Sequence, residues 1–192
     1  MKHLILLLTL LPFFTFCGQQ KDEKKEETGD SQKTETANEA PVRNQKATYY
    51  LLRHAEKVRT DPKDPDPALN IDGLMRAKRW AAYFEPIKID AIYVTKYIRT
   101  KQTISLIAQQ KQVSPTRYDP NTVYSEEFLN QTNNKTVLIA GHSNTIPQLV
   151  NQLIGEEKFK DMDDNDNSTL FKVTINGKDK KVETITKKMS SE

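Results

Sequence analysis

Three short apolar runs, each leading into basic side chains, constrain this chain more than any other feature. Ala47 to Leu52 is largely aromatic and aliphatic and stops at Arg53-His54; Lys135 to Gly141 stops at His142-Ser143-Asn144; Ile89 to Thr95 leads into a segment that carries Arg99. Apolar runs of this length, with no clean polar alternation, read as strands buried on both faces. In open α/β sheets ligands bind in the crevice beyond the carboxyl ends of the strands. Laid side by side and parallel, these strands bring two arginines and two imidazoles to one sheet edge, and such an edge is an anion site. The chain has three histidines. His3 falls in the leader, so both remaining histidines sit just past a predicted buried strand.

The segments between the strands complete an α/β pattern. Glu56 to Asn70 is a loop rich in Pro and Asp, because each proline disfavours helix at the residue before it. Asn70 is a good N-cap for a helix over Ile71 to Phe84, with Leu74, Ala77, Ala81 and Phe84 on one face and Pro86 as its stop. A second helix is expected over Ile98 to Gln112, with Arg99 in its first turn and Ile98, Ile104 or Ser105, and Ile107 or Ala108 turned inward. Near Arg117-Tyr118 the chain reads as extended, and Glu126 to Gln131 as helical. Ile146, Leu149, Val150, Leu153 and Ile154 follow helical spacing, with Asn144 or Thr145 as cap and Gly155 as stop. That helix would aim its free amide groups at the crevice beside His142. Glu156 to Asn167 is an acidic loop. Thr169 to Ile175 and Val182 to Thr186 form a terminal hairpin, its loop a little longer than the tightest kind.

Ahead of this domain lie two segments of other character. Met1 to Phe16 has one charged residue, Lys2, and then a nearly unbroken apolar run, short for a bilayer span and typical of a signal peptide. Cys17, the only cysteine, follows at once and resembles the lipid-acceptor cysteine of bacterial lipoproteins, although Phe16 stands where a small residue is usual. The expectation is an exported lipoprotein attached to the cell-envelope membrane, with no disulfide. Gly18 to Lys46 has no aromatic residue, a single β-branched aliphatic at Val42, and six Lys/Arg against seven Asp/Glu. It cannot bury enough apolar surface to offset ordering and should act as a flexible tether spanning on the order of 30 Å. Residues 47–192 are then one domain of about 145 residues, enough for a real core. Lys2 puts the leader at +1 and the tether carries −1, so the domain holds the chain's whole net charge of +3. So weak a bias, without basic runs interleaved with aromatics, argues against nucleic acid.

The residues at the sheet edge suit phosphoryl chemistry. Guanidinium groups bind phosphate oxygens and neutralise charge that develops on them, each contact contributing about 1.5–3 kcal/mol net. A neutral imidazole is a competent nucleophile toward phosphorus, and a protonated one is a transition-state donor. No metal is required by such a set.

Leu52-Arg53-His54-Ala55-Glu56, Arg99-Thr100-Lys101-Gln102-Thr103 and Ala140-Gly141-His142-Ser143, in this order and spacing, resemble the histidine phosphatase superfamily, also called phosphoglycerate mutase-like. Leu69-Asn70-Ile71-Asp72-Gly73 is similar to the start of that family's first helix, and the likeness runs from about Ala47 to Ile185. The resemblance implies a three-layer α/β/α sandwich with a mainly parallel sheet. It makes His54 the phosphorylated nucleophile and Arg53, Arg99 and His142 the phosphate pocket, with no cofactor and no metal. A small phosphorylated substrate or a phosphohistidine is the implied partner.

Two departures bear on the reaction. Ala55 stands where the family usually has glycine. The Trp-Glu-Gly-type signature of the mutase branch is absent, and the one tryptophan, Trp80, belongs to a helix and reads as core. Asp119, Glu126 and Glu127 lie where that branch keeps its general acid, yet carboxylates of this kind are more often surface groups. Family members that hydrolyse good leaving groups manage without an acid. The expected activity is therefore a metal-independent phosphatase working through a phosphohistidine on a phosphomonoester or phosphoamidate, not a mutase. The alternatives are a non-catalytic lipoprotein that binds phosphorylated ligands and a metal-dependent hydrolase using both histidines.

Overall fold

The computed structural model describes residues 45–187. Cys17, the leader and nearly all of the proposed tether lie outside the described residues. Strands β1 (Lys46–Arg53), β2 (Ala91–Val94), β3 (Thr116–Arg117), β4 (Lys135–Gly141), β5 (Thr169–Asn176) and β6 (Asp179–Thr186) form one sheet in the order β3-β2-β4-β1-β5-β6. The pairs β2–β3, β2–β4 and β1–β4 are parallel, and β1–β5 and β5–β6 are antiparallel. The three apolar runs thus lie side by side and parallel, as their composition requires. Beyond them the returning hairpin makes the sheet mixed.

Successive residues of β1 point to opposite faces, and each face has its own core. Tyr49 and Leu51 pack with Val137, Ile139, Ile146, Leu149 and Val150, under helices α3 (Glu126–Gln131) and α4 (Thr145–Ile154). Tyr50 and Leu52 pack with Trp80, Phe84, Ile92, Ile104, Ile107 and Leu138, under α1 (Ile71–Phe84) and α2 (Ile98–Lys111). The result is a three-layer α/β/α sandwich. Trp80 is core, as expected. No helix among the described residues is long and apolar enough to cross a membrane.

Where the helices differ from their expected faces, packing is the reason. Leu74 is half exposed, and α1 instead buries Gly73, Arg76, Ala77, Trp80, Ala81 and Phe84. Rotating the helix this way seats its large aromatics on the sheet and leaves Ile71, Leu74 and Met75 outside. It also explains Gly73. The Asn70 side chain caps the helix by accepting from the Gly73 amide at 2.8 Å, while the Asn70 amide donates to the Glu56 carbonyl at 3.0 Å. A β-carbon on Gly73 would overlap that same carbonyl oxygen. In α2, Ile98 is exposed and Thr100 and Thr103 are buried in its place. α4 keeps its predicted apolar face and ends on Gly155 at φ +75°. The terminal hairpin is tighter than expected: β6 begins at Asp179, paired with Asn176, so two residues, Gly177 (φ 62°) and Lys178, make the turn.

Candidate active site

Register alone brings the two imidazoles together. Arg53 on β1 lies opposite Gly141 on β4, so His54 and His142 are the first residues past the ends of neighbouring parallel strands. The His54 amide donates to the Gly141 carbonyl at 3.0 Å, and the two rings stand 5.6 Å apart at 62°. On the other side of β4, Val94 pairs with Ala140, and Thr95, the next residue, reaches His142: Thr95 Oγ1 is 3.0 Å from Nε2. Arg99 enters from the first turn of α2, its guanidinium carbon 4.1 Å from the centre of the Tyr97 ring. The edge of that ring also meets His142, with centroids 5.1 Å apart. All four residues expected at the site, Arg53, His54, Arg99 and His142, are therefore gathered at one sheet edge.

His54 is held by backbone. Its Nδ1 lies 2.7 Å from the Ala55 carbonyl oxygen, which can only accept, so Nδ1 carries the proton and Nε2 keeps its lone pair. The His54 carbonyl accepts from Asn167 Nδ2 at 2.8 Å. The Ala55 amide donates to Thr103 Oγ1 at 2.9 Å, and that hydroxyl donates in turn to the Arg99 carbonyl at 2.7 Å. The four-residue spacing of Arg99 and Thr103 is thus one helical turn that locks α2 against the end of β1. Burial, with the nearby charges of Arg53, Arg99 and His142, lowers the His54 pKa to about 3 against the opposing pull of the Ala55 bond. Burial and then Arg99, Arg53 and Lys57 lower that of His142 to about 4. Both rings are neutral near pH 7.

The arginines are oriented by acidic loops. Arg53, 2% exposed, donates from Nη1 to the carbonyls of Asp163 (2.8 Å) and Asp166 (3.4 Å) and from Nη2 to Asp164 Oδ1 (2.6 Å). Arg59 binds the other oxygen of Asp164 at 2.6 Å. Asp66 accepts from the Ile98 amide at the start of α2 and lies 3.4 Å from Arg99 Nη1. What remains is the Nε–H of each arginine: Arg53 Nε and Arg99 Nε are buried with no hydrogen-bond partner. An unsatisfied buried donor costs about 1–3 kcal/mol.

Several residues at the site were not singled out from sequence. Thr95, Tyr97, Asp66, Asp164 and Asn167 all touch the four predicted residues, and the Glu156 to Asn167 stretch read only as an acidic loop. Glu56 accepts from Arg76 Nε at 2.9 Å and from Nη2 at 2.6 Å, tying the end of β1 to α1. The three acid candidates fare differently. Asp119 lies on the wall of a cleft of about 430 Å³ that Thr95, Tyr97 and Arg117 also line, and of these Thr95 reaches His142. Glu126 and Glu127 sit in the first turn of α3 on an exposed face, and Glu127 holds Gln131. No group of three or more His, Cys, Asp or Glu side chains among the described residues is arranged to hold a metal ion.

Comparison with known proteins finds a matching family model and similar folds. The model of the histidine phosphatase superfamily (branch 1) matches residues 49–121. Among solved structures the chain is similar to the protein histidine phosphatase SixA complexed with tungstate (17% identity, TM-score 0.58, covering 72% of this chain and 96% of that one). It is also similar to phosphoglycerate mutase from Bacillus anthracis (13% identity, TM-score 0.57, covering 75% and 94%). A third is phosphoserine phosphatase in complex with 3-phosphoglyceric acid from Entamoeba histolytica (16% identity, TM-score 0.53, covering 74% and 98%). At these identities the likeness is one of fold. A search of curated protein sequences found no match.

Proposed function

We propose that this chain, which resembles the histidine phosphatase superfamily in its motifs and fold, is a metal-independent phosphatase that works through a phosphohistidine on His54. The observation that carries the reading is the convergence of Arg53, Arg99 and His142 on His54, an imidazole whose Nδ1 is bonded to the Ala55 carbonyl so that the lone pair stays on Nε2. A phosphoryl group placed there meets two guanidinium groups and faces a neutral nucleophile. His54 Nε2 forms a bond to phosphorus as the bond to the leaving atom breaks. Arg53, Arg99 and His142 hold the oxygens on which charge develops. Water then attacks phosphorus and the P–N bond breaks, which returns His54 and releases phosphate.

Hydrolysis of a phosphomonoester or phosphoamidate is favoured over mutase chemistry because the carboxylates that contact the two arginines hold structure, and Asp119 in the neighbouring cleft accepts from the Asn121 amide. Asp66 holds the start of α2 and Asp164 holds Arg53. The similar proteins named above include enzymes that act on phosphohistidine and phosphoserine, and either chemistry suits this pocket. The lone Cys17 after an apolar leader supports attachment of the domain to a membrane through lipid.

The test is turnover of aryl phosphates and a phosphorylated-imidazole substrate by the full chain. Activity should survive exhaustive EDTA treatment and be inhibited competitively by vanadate, whose trigonal-bipyramidal form matches the transition state. Arg99→Lys should lose most of that inhibition, since a point ammonium cannot reproduce the planar guanidinium fork. Loss of activity on chelation, with recovery on adding zinc, manganese or magnesium, would promote the metal-hydrolase reading. Phosphate binding without turnover would leave a non-catalytic binder.

A further inference from the structure

The geometry points to Thr95 as a positioning residue that fixes the proton of neutral His142 on Nε2, so that Nδ1 meets the phosphoryl group and must take up a proton when an anion binds. This inference rests on the reading of His142 as a phosphate ligand. A hydroxyl has a single hydrogen, so a chain of hydroxyls has a direction. Thr100 Oγ1 lies 2.8 Å from the Tyr97 carbonyl oxygen and 3.4 Å from that of Thr95. Both are acceptors only, so the Thr100 hydrogen is directed to carbonyl oxygen. Thr95 Oγ1 is 3.0 Å from Thr100 Oγ1, and Thr95 must be the donor of that bond. With its hydrogen used there, Thr95 accepts from His142 Nε2, 3.0 Å away on its other side. Thr95 is 1% exposed and Thr100 is fully buried, so solvent cannot reorganise the chain.

The two imidazoles of the site therefore have opposite tautomers. His54 is protonated on Nδ1 by way of the Ala55 carbonyl and keeps its lone pair on Nε2, as a nucleophile requires. His142 is protonated on Nε2 and has its lone pair on Nδ1, the ring nitrogen left for a ligand. A lone pair repels a phosphoryl oxygen, so His142 becomes a donor only as imidazolium, with the new proton on Nδ1. The charged and titratable groups around it are Arg99 and Tyr97 from the start of α2, Arg53 and His54 from the end of β1, and Lys57 and Asp66 from the following loop. The three cations oppose protonation of the empty site and Asp66 favours it. A bound dianion adds two negative charges and shifts that balance toward imidazolium.

The experiment is long-range proton–nitrogen correlation spectroscopy on the labelled full chain, whose three histidines give few signals. Near pH 7 the expected spectrum shows an Nε2–H tautomer for His142 and an Nδ1–H tautomer for His54. In Thr95→Val, His142 should move to a mixture of tautomers while the His54 pattern reports an intact site, and Thr95→Ser should restore the wild-type pattern. Sulfate, a tetrahedral dianion that does not titrate near neutrality, should convert His142 to imidazolium with uptake of about one proton, read by calorimetry in buffers of different ionisation heat. An Nδ1–H tautomer for His142 in the wild type overturns the inference. So does an unchanged His142 spectrum in Thr95→Val, or sulfate binding without proton uptake. Sulfate that fails to bind at all counts against the phosphatase reading, and the tautomer spectra still decide the role of Thr95.

Discussion

Asp164 Oδ1 lies 2.6 Å from Arg53 Nη2, joining the acidic loop before β5 to the end of β1 across more than a hundred residues of chain. The pair is asymmetric, since the Arg53 side chain is 2% exposed and that of Asp164 is 64% exposed. Arg59 and then Arg53, through their hydrogen bonds, lower the Asp164 pKa to about 2.

Asp164→Ala should destabilise the domain modestly, by about 1 kcal/mol, because water can reach the vacated side of Arg53 and two backbone carbonyls still accept from Nη1. A depressed carboxylate pKa stabilises the fold above its unfolded value near 4, and that contribution is lost as pH falls through about 2. Urea midpoints of wild type and variant should therefore differ above pH 4 and converge near pH 2.

The two histidines should respond differently to removal. His54→Ala leaves no atom to accept the phosphoryl group, so turnover and acid-labile phosphoenzyme should both vanish. His142→Ala removes a transition-state donor, and activity should fall by on the order of 10²–10³ while phosphoenzyme still forms. Equal phosphoenzyme from wild type and His54→Ala, measured by rapid quench, would overturn the assignment.

Both imidazoles also make stability depend on pH. Their folded pKa values, about 3 and about 4, lie below the unfolded value near 6.5, so the unfolded chain binds protons that the folded one refuses. Stability should fall as pH drops below about 6.5 and level off beneath the folded values, losing roughly 2 kcal/mol per histidine by pH 5. The double variant His54→Ala/His142→Ala should lack this slope between pH 7 and 5, which chemical denaturation at each pH would measure.

The proposed lipid anchor at Cys17 is tested by substitution. Cys17→Ser should release active protein from the membrane fraction, because a processed lipoprotein is held only by the lipid on that sulfur. A variant that stays in the pellet after a carbonate wash shows instead an uncleaved apolar leader.

The elements legible from sequence are those whose signal is local. The apolar runs ending at Arg53 and at Gly141 each carry their own strand pattern, and the spacing from Ile146 to Ile154 carries its own helix, so β1, β4 and α4 fall where they were expected. Residue type at the strand ends was enough to nominate Arg53, His54, Arg99 and His142. What local pattern could not decide was which side of α1 would meet the sheet: Leu74 fits the apolar face by spacing, but burying Trp80 beside Phe84 turns it outward. Nor could it reveal Asp164, Asp66 or Thr95, which have unremarkable neighbours in the chain. Asp164 reaches Arg53 only because the loop before β5 folds back over the end of β1, and Thr95 reaches His142 only because β2 lies against β4. Residue order along the chain determined that two imidazoles and Arg53 would stand at strand ends and that Arg99 would follow in the first turn of a helix. For Arg53 and His142, which nitrogens are already engaged was decided by tertiary packing, since Asp164 and Thr95 reach them only through the fold, whereas His54 is oriented by the carbonyl of its own neighbour, Ala55.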